Sequence, residues 1–302
     1  MQERHQSGPG DALRLVAEPV PRVRACLSLL LRSRDARPPR PERRADFETK
    51  IFVKVNLPEV LRRELARPGW RGESVAIGTA TDPYQPGEGR FQVTRGALEA
   101  MLAYRNPLSV VTKSTLVQRD LDLLAALASV AQVRVNMTIT TLDPALSRLI
   151  EPGTPPPAQR LATLRRLSDS GVPTGVFLAP VLPGITDSED AIDAVAAAAR
   201  AHGASTFWAG PLRLAPLVKE HYLGWIATAF PDLLGRYERA YAAGANAPRA
   251  YLDKIEGRIA AVCARHGFSE HDGERHNTAP RNQTANQADA GQLPLPLFQL
   301  AP

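Results

Sequence analysis

The sequence predicts an α/β protein built of parallel βα units and arranged as a barrel or part-barrel. Three observations carry this reading. Five short runs, at residues 74–81, 108–114, 133–141, 174–180 and 205–214, have the length and the apolar or alternating composition of strands. Helical patterns separate them, and strict alternation of the two element types marks parallel strands joined by crossover helices, not a sandwich. The 302 residues, 44% of them hydrophobic, suffice for one barrel-sized domain or two smaller ones.

Taken in order, residues 50–57 alternate well enough for a short strand or extended entry. Pro58 then opens a helix with Val60, Leu61 and Leu65 in apolar spacing. The buried run 74–81 leads into the loop DPYQPGEGR, and 94–104 is a helix with Leu98, Met101 and Leu102 on one face. LSVVTKS at 108–114 is the next strand, RDLDLLAALASV the next helix, and VRVNMTITT at 133–141 the strand after it. A short helix starts at Pro144, the loop EPGTPPP covers 151–157, and a longer helix closes on Gly171 at the C′ position. TGVFLAP at 174–180 runs into VLPGIT, after which Thr186 and Glu189 form a capping box for an alanine-rich helix ending near His202. STFWAGPLRL at 205–214 is the last clear strand.

From Pro216 to about Gly267 the pattern is helical only. Tyr222, Trp225, Phe230, Tyr237 and Tyr241 are interleaved with apolar residues there, as expected of rings that pack helices across the barrel. Beyond Phe268 the chain is polar and rich in Asn, Gln and Ala, the composition of a disordered linker, and it ends in the apolar QLPLPLFQLAP. The expected division is a segment 1–45, a partial barrel 46–215, a helical extension 216–268 and a tail 269–302.

The formal charge of +6 invites a nucleic-acid reading until it is located. Residues 1–45 hold ten arginines against five acidic residues, so the rest of the chain is close to neutral and gives little support for DNA binding through a charged face. Two cysteines, Cys26 and Cys263, cannot make a disulfide framework or a metal knot by themselves. No signal-peptide core or membrane-length apolar window is present, so a cytoplasmic protein is expected.

In a parallel barrel the chemistry collects at the carboxyl ends of the strands. Those positions hold Thr79, Thr81 and Asp82; Thr112, Lys113 and Ser114; Thr138, Thr140 and Thr141; Pro180 and Pro183; and Arg213. This polar mouth suits an anionic or zwitterionic ligand, with Lys113 for a carboxylate and hydroxyls for a ribose. Each position also has a plainer reading. A strand-end lysine is more often solvated, alternating threonines follow from β-propensity, and Asp82 before Pro83 serves equally as a turn residue.

Four stretches narrow the choice: the run from Asp46 to Arg95, VVTKSTLVQRDLDLL, ITTLDPALSRLIEPGTPPPAQRL and GVFLAPVLPGITD. Together they resemble the radical S-adenosylmethionine (SAM) proteins akin to spore photoproduct lyase, a group often called DNA repair photolyases, over about 46–267. The resemblance implies an incomplete parallel (β/α)6-type barrel, here lacking its first strand, with C-terminal helices added. It implies a [4Fe-4S] cluster held by three cysteines in CxxxCxxC, and SAM chelated to the unique iron. Reductive cleavage of SAM then gives a 5′-deoxyadenosyl radical. An electron donor such as flavodoxin or ferredoxin and a DNA substrate are implied with it. By the same similarity Thr81, Asp82, Lys113, Thr138 and Thr140 line the SAM pocket, with Pro180 and Arg213 at the remaining strand ends.

The chain departs from that pattern where the cluster loop should stand. Three thiolates must come from one short loop to leave an iron open for SAM, and Cys26 stands alone. Reading the forced nucleotides one position later offers an explanation. Glu18 to Arg24 then permits N-P-Y-R-G-C-E, and Ala25 to Leu31 permits H-A-C-R-Y-C-Y, which together contain CxxxCxxC. The neighbouring codons from Asp11 to Arg44 also permit family-like residues. One insertion or deletion near codons 43 to 46 would account for the missing loop, and also for the Arg/Pro-rich, lysine-free composition of 1–45.

Gln292 to Phe298, QLPLPLF, fits QxxLxLF and resembles the motif by which bacterial repair and replication proteins bind the sliding clamp. Gln292 would make the polar contact, and Leu295, Leu297 and Phe298 would enter an apolar pocket. Three functions stay open from sequence: a radical SAM enzyme with a frame-damaged sequence, a non-catalytic clamp-binding adaptor or pseudogene product on the same scaffold, and a barrel enzyme without a cluster.

Overall fold

A computed structural model describes residues 53–268, together with the backbone of a two-residue strand, β1 (Glu18–Pro19). The sheet runs in order through β2 (Val75–Ile77), β3 (Leu108–Thr112), β4 (Val133–Thr138), β5 (Thr174–Val181) and β6 (Thr206–Pro211). These five strands are mutually parallel, as the alternating pattern predicts. β1 pairs antiparallel with β2, so that edge carries a two-residue antiparallel strand beside the parallel array.

Helices α1 (Leu57–Leu65), α2 (Glu88–Phe91) and α3 (Val93–Ala103) surround β2 in sequence. A 3-10 turn (Thr115–Asp120) and α4 (Leu121–Val130) link β3 to β4. α5 (Pro144–Ile150) and α6 (Pro157–Asp169) link β4 to β5, and α7 (Glu189–Ala201) links β5 to β6. α8 (Pro216–Ala229), α9 (Leu234–Ala240) and α10 (Arg249–Arg265) follow.

Local chemistry accounts for the boundaries. α1 buries Leu57, Leu61 and Leu65 at intervals of four and has Pro58 in its first turn. α5 starts where the Asp143 carboxylate accepts from the amides of Ala145 and Leu146. Gly171 follows α6 with φ 79°, a left-handed position that a side chain would strain. Two expectations shift. Residues 53–56 are irregular and turn directly into α1, so the described part of the expected run 50–57 is not a strand. The cap of α7 is Ser188, whose hydroxyl accepts from the Ala191 amide; Thr186 instead accepts from the Leu182 amide and closes the preceding loop.

Strand alternation separates two faces. Val75, Ile77, Val110, Val133, Val135, Met137, Val176, Leu178 and Phe207 join Leu98, Met101, Leu124, Leu127, Leu164 and Leu167 of the helices in the main core. The opposite, inner face carries Ser109, Arg134, Asn136, Thr138, Phe177 and Trp208. A second apolar cluster contains Leu182, Leu212, Leu214, Ile226, Tyr237 and Tyr241, with Tyr222, Trp225 and Phe230 packed on it. The aromatics of the helical segment thus pack mainly together, over the loops that leave β5 and β6, not across the whole barrel. Tyr251 touches both clusters.

Candidate functional site

The carboxyl ends of β2 to β6 form a mouth of two unlike halves. On the β2–β4 side the polar groups bind one another. Asp82, in the loop after β2, accepts from Thr112 Oγ1 at 2.7 Å, from the Lys113 amide at 2.7 Å and from the Tyr84 amide at 2.9 Å. The Thr112 hydroxyl in turn accepts from the Ser114 amide at 2.9 Å, and Ser114 Oγ caps the 3-10 turn through the Leu116 amide. Asp82 is therefore both a turn residue and a brace between the loops after β2 and β3. Gly78, at φ 95°, permits that approach: a Cβ there would stand 2.0 Å from the Val111 carbonyl oxygen.

Lys113 does not point a free ammonium at a ligand. Its Nζ lies 2.9 Å from Glu151 Oε1, while Glu151 Oε2 lies 2.7 Å from Arg160 Nη1. Arg160, 1% exposed, also donates to the Thr138 carbonyl at 3.0 Å and the Pro155 carbonyl at 2.7 Å, and bonds Thr154 Oγ1. The loop 151–157 thereby folds back onto the end of β4. Burial works to raise the Glu151 carboxyl, but the Lys113 and Arg160 charges and hydrogen bonds outweigh it and hold the group below its ordinary value.

Polar atoms on the inner face are left over. Thr140 is 3% exposed and its Oγ1 has no partner; Asn136 donates to Ser109 Oγ at 3.0 Å, but its Oδ1 accepts nothing. Arg134 Nε is also buried without a partner. Native interiors pair nearly all such atoms, so the two towards the mouth, Asn136 Oδ1 and Thr140 Oγ1, point to a polar ligand there. On the β5–β6 side, Phe177 and Trp208 are opposite each other in register and their rings lie 5.3 Å apart at 57°. Both are partly exposed.

The predicted residues are thus placed as follows. Asp82, Lys113, Thr138 and Thr140 cluster at the ends of β2 to β4, with Asp82 and Lys113 spent on protein partners. Thr81 lies beside Asp82, half-buried. Pro180 sits in the irregular β5–β6 register between Leu178 and Val181. Arg213 follows β6, pairs through its backbone with Asn246, and has a buried, unpartnered Nε. Gln292, Leu295, Leu297 and Phe298 lie outside the described residues. Sequence reasoning did not single out Glu151, Arg160, Asn136 or the Phe177–Trp208 pair. The one signal for them was Arg160 itself, in phase with the buried Leu164 and Leu167 on an otherwise apolar helix face.

The model of the radical SAM superfamily matches residues 43–195. The chain belongs to that superfamily. An uncharacterized protein of Mycobacterium tuberculosis is 38% identical over 240 residues, covering 80% of this chain and 70% of the relative. One from Methanocaldococcus jannaschii is 31% identical over 139 residues, 46% of this chain and 50% of that one. Among solved structures, spore photoproduct lyase superposes with a TM-score of 0.50 at 16% identity, over 72% of this chain and 65% of that one. One structure of that lyase holds AdoMet and dinucleoside spore photoproduct, at 18% identity and the same TM-score. At these identities the likeness establishes the fold, five parallel strands of a radical SAM partial barrel.

The family's two cofactors fit this chain unequally. A nucleoside with a zwitterionic amino-acid end matches the unpartnered Asn136 Oδ1 and Thr140 Oγ1, whereas Arg134 stands at the amino end of β4, away from the mouth. A cluster bound by three thiolates does not match, because the chain has two cysteines. Cys263 is buried in α10 and belongs to the helix-side core, away from the strand ends. Among the described residues no group of three or more His, Cys, Asp or Glu is placed to hold a metal ion. No helix among them is long and apolar enough to cross a membrane.

Proposed function

We propose that the strand-end mouth binds SAM, and that the chain as translated holds it without cleaving it. The observation that carries this is the pair of buried, unpartnered atoms on the inner face towards the mouth, Asn136 Oδ1 and Thr140 Oγ1. In this reading the hydroxyl and amide meet the ribose and amino-acid ends of the ligand, and Asp82 and Glu151 act through others. Asp82 fixes the loops that border the ligand, and Glu151 keeps Lys113 from competing for it. Titration calorimetry should show one SAM bound per chain. After anaerobic reconstitution with iron and sulfide, no charge-transfer absorbance and no 5′-deoxyadenosine should appear. Absence of SAM binding would remove the first half of the proposal, and a bound cluster or released 5′-deoxyadenosine the second.

The missing ligands have a proposed origin in an insertion or deletion near codons 43 to 46. The family match starts at residue 43, directly after most of the stretch whose out-of-phase reading contains CxxxCxxC. An uninterrupted genomic frame, with no length difference from a re-read, would sink the frame reading. If the restored frame is the working protein, a nucleic-acid substrate is the natural candidate, by analogy with the dinucleoside bound in the lyase structure. A second reading rests on QLPLPLF: the chain serves as a clamp-binding adaptor. Leu297→Ala with Phe298→Ala should abolish binding to a bacterial sliding clamp; no binding by the parent chain would end that reading.

A further inference from the structure

A second concavity involves the loop that leaves β5 and none of the residues assigned above to the mouth. Asp187, Ser188, Arg236, Tyr251, Lys254 and Arg258 line a depression of about 280 Å³. The loop from β5 to α7 supplies Asp187 and Ser188, so the depression opens on the same side of the sheet as the strand ends. α10 supplies Tyr251, Lys254 and Arg258, whose spacing of three and four residues puts them on one face of the helix. Arg236 reaches in from α9, and its Nη1 stands 3.1 Å from where a Cβ on Gly184 would be.

Three cations and one carboxylate line the depression. Asp187 is buried and accepts from the Tyr251 hydroxyl at 3.0 Å, with Arg236 Nη2 at 3.8 Å. Arg258 donates to the Asp187 carbonyl and not to its carboxylate, so its charge is positioned without being neutralised. Lys254 is exposed and makes no ion pair among the described residues. The Tyr251 phenol is pushed well up by burial and then by the Asp187 charge, so it stays protonated and serves only as a hydrogen-bond donor. With Asp187 occupied by Tyr251 and Arg236, the open side of the depression presents an ammonium and a guanidinium.

We propose that this depression binds a phosphate group, with Lys254 and Arg258 as its direct ligands and Arg236 as the third cation. Guanidinium and ammonium groups around a concavity of this size are the ordinary recognition chemistry of phosphate. The ligand is a phosphodiester chain or a free phosphate compound, and the two are separable by experiment. The proposal does not depend on SAM binding.

The test uses the full chain, a fluorescein-labelled oligothymidylate, and pyrophosphate as competitor. Anisotropy should show binding that weakens with salt. Lys254→Glu should weaken it about tenfold or more and reduce the salt slope by about one unit. Arg71→Glu, the same change of charge in an exposed loop before β2, controls for overall electrostatics and should have under a twofold effect. Oligonucleotide binding displaced by pyrophosphate identifies the phosphodiester source. Pyrophosphate binding that Lys254→Glu abolishes, without oligonucleotide binding, identifies the free source. Equal losses in the two variants, or no binding of either probe by the parent chain, would overturn the proposal. Circular dichroism of Lys254→Glu should be unchanged, since that side chain is exposed.

Discussion

The polar groups that loops bring to the mouth and those on the inner face of the strands are treated in opposite ways. Around β2 to β4, Asp82, Thr112, Lys113, Glu151 and Arg160 satisfy one another across loops far apart in sequence. Along the inner face of β4 the Asn136 amide oxygen and the Thr140 hydroxyl stay unpaired, and β5 and β6 add two partly exposed rings beside them. The difference teaches that charge at a strand end is poor guidance to ligand contact. The groups most conspicuous in sequence brace the site, and quieter ones are left for a ligand.

The largest effect should come from Arg160→Met. The substitution leaves Glu151 buried with Lys113 as its only cation and strips the Thr138 and Pro155 carbonyls of their donor. Breaking a buried pair in this way costs about 3–5 kcal/mol. A fall of that size in unfolding free energy by urea titration is expected, and a change below about 1 kcal/mol would show that the closed half is not braced by this network.

Glu151→Gln is smaller and carries a pH signature. The folded carboxyl is held below its ordinary value, so the group binds fewer protons folded than unfolded. Its contribution is therefore complete above the ordinary carboxylate range of about 4.3 and is lost as pH falls through the lower folded value. The parent should exceed Glu151→Gln by about 2 kcal/mol at neutral pH. That gap should close in acid, and a gap independent of pH would place the effect in packing alone.

Much of the fold was legible because it depends on local pattern. Five strand runs, proline-opened helices and a glycine at C′ follow from spacing and backbone chemistry within a few residues of each other. The pairing of charges was not legible, because Lys113 meets Glu151 only when the loop EPGTPPP folds back on β4, a contact across 38 positions that no periodicity encodes. Asp82 stayed open between turn residue and ligand, and the structure makes it a turn residue that also braces β3. The aromatics of 222–241 were expected to pack against the barrel at large; their register instead gathers them over β5 and β6, where Tyr241 donates to the Leu212 carbonyl at 3.0 Å. The rim depression was hidden for a similar reason: α10 shows its basic face in sequence, but Asp187 and Arg236 reach it only through the tertiary fold.

The finest comparison sets a threonine of the braced network against one of the inner face. The Thr112 hydroxyl is committed on both sides, donating to Asp82 and accepting from the Ser114 amide. Thr112→Val should therefore lose about 1–2 kcal/mol of stability, chiefly from the desolvated groups left behind, while SAM affinity stays nearly constant. The Thr140 hydroxyl has no protein partner to lose. Thr140→Val should leave stability within about 0.5 kcal/mol of the parent, or raise it, and weaken SAM binding about tenfold, the worth of one hydrogen bond in a dry site. Calorimetric affinity and urea midpoints measured on both variants decide the matter. If the two threonines exchange these signatures, the braced half is the ligand-binding half and the assignment of the inner face falls.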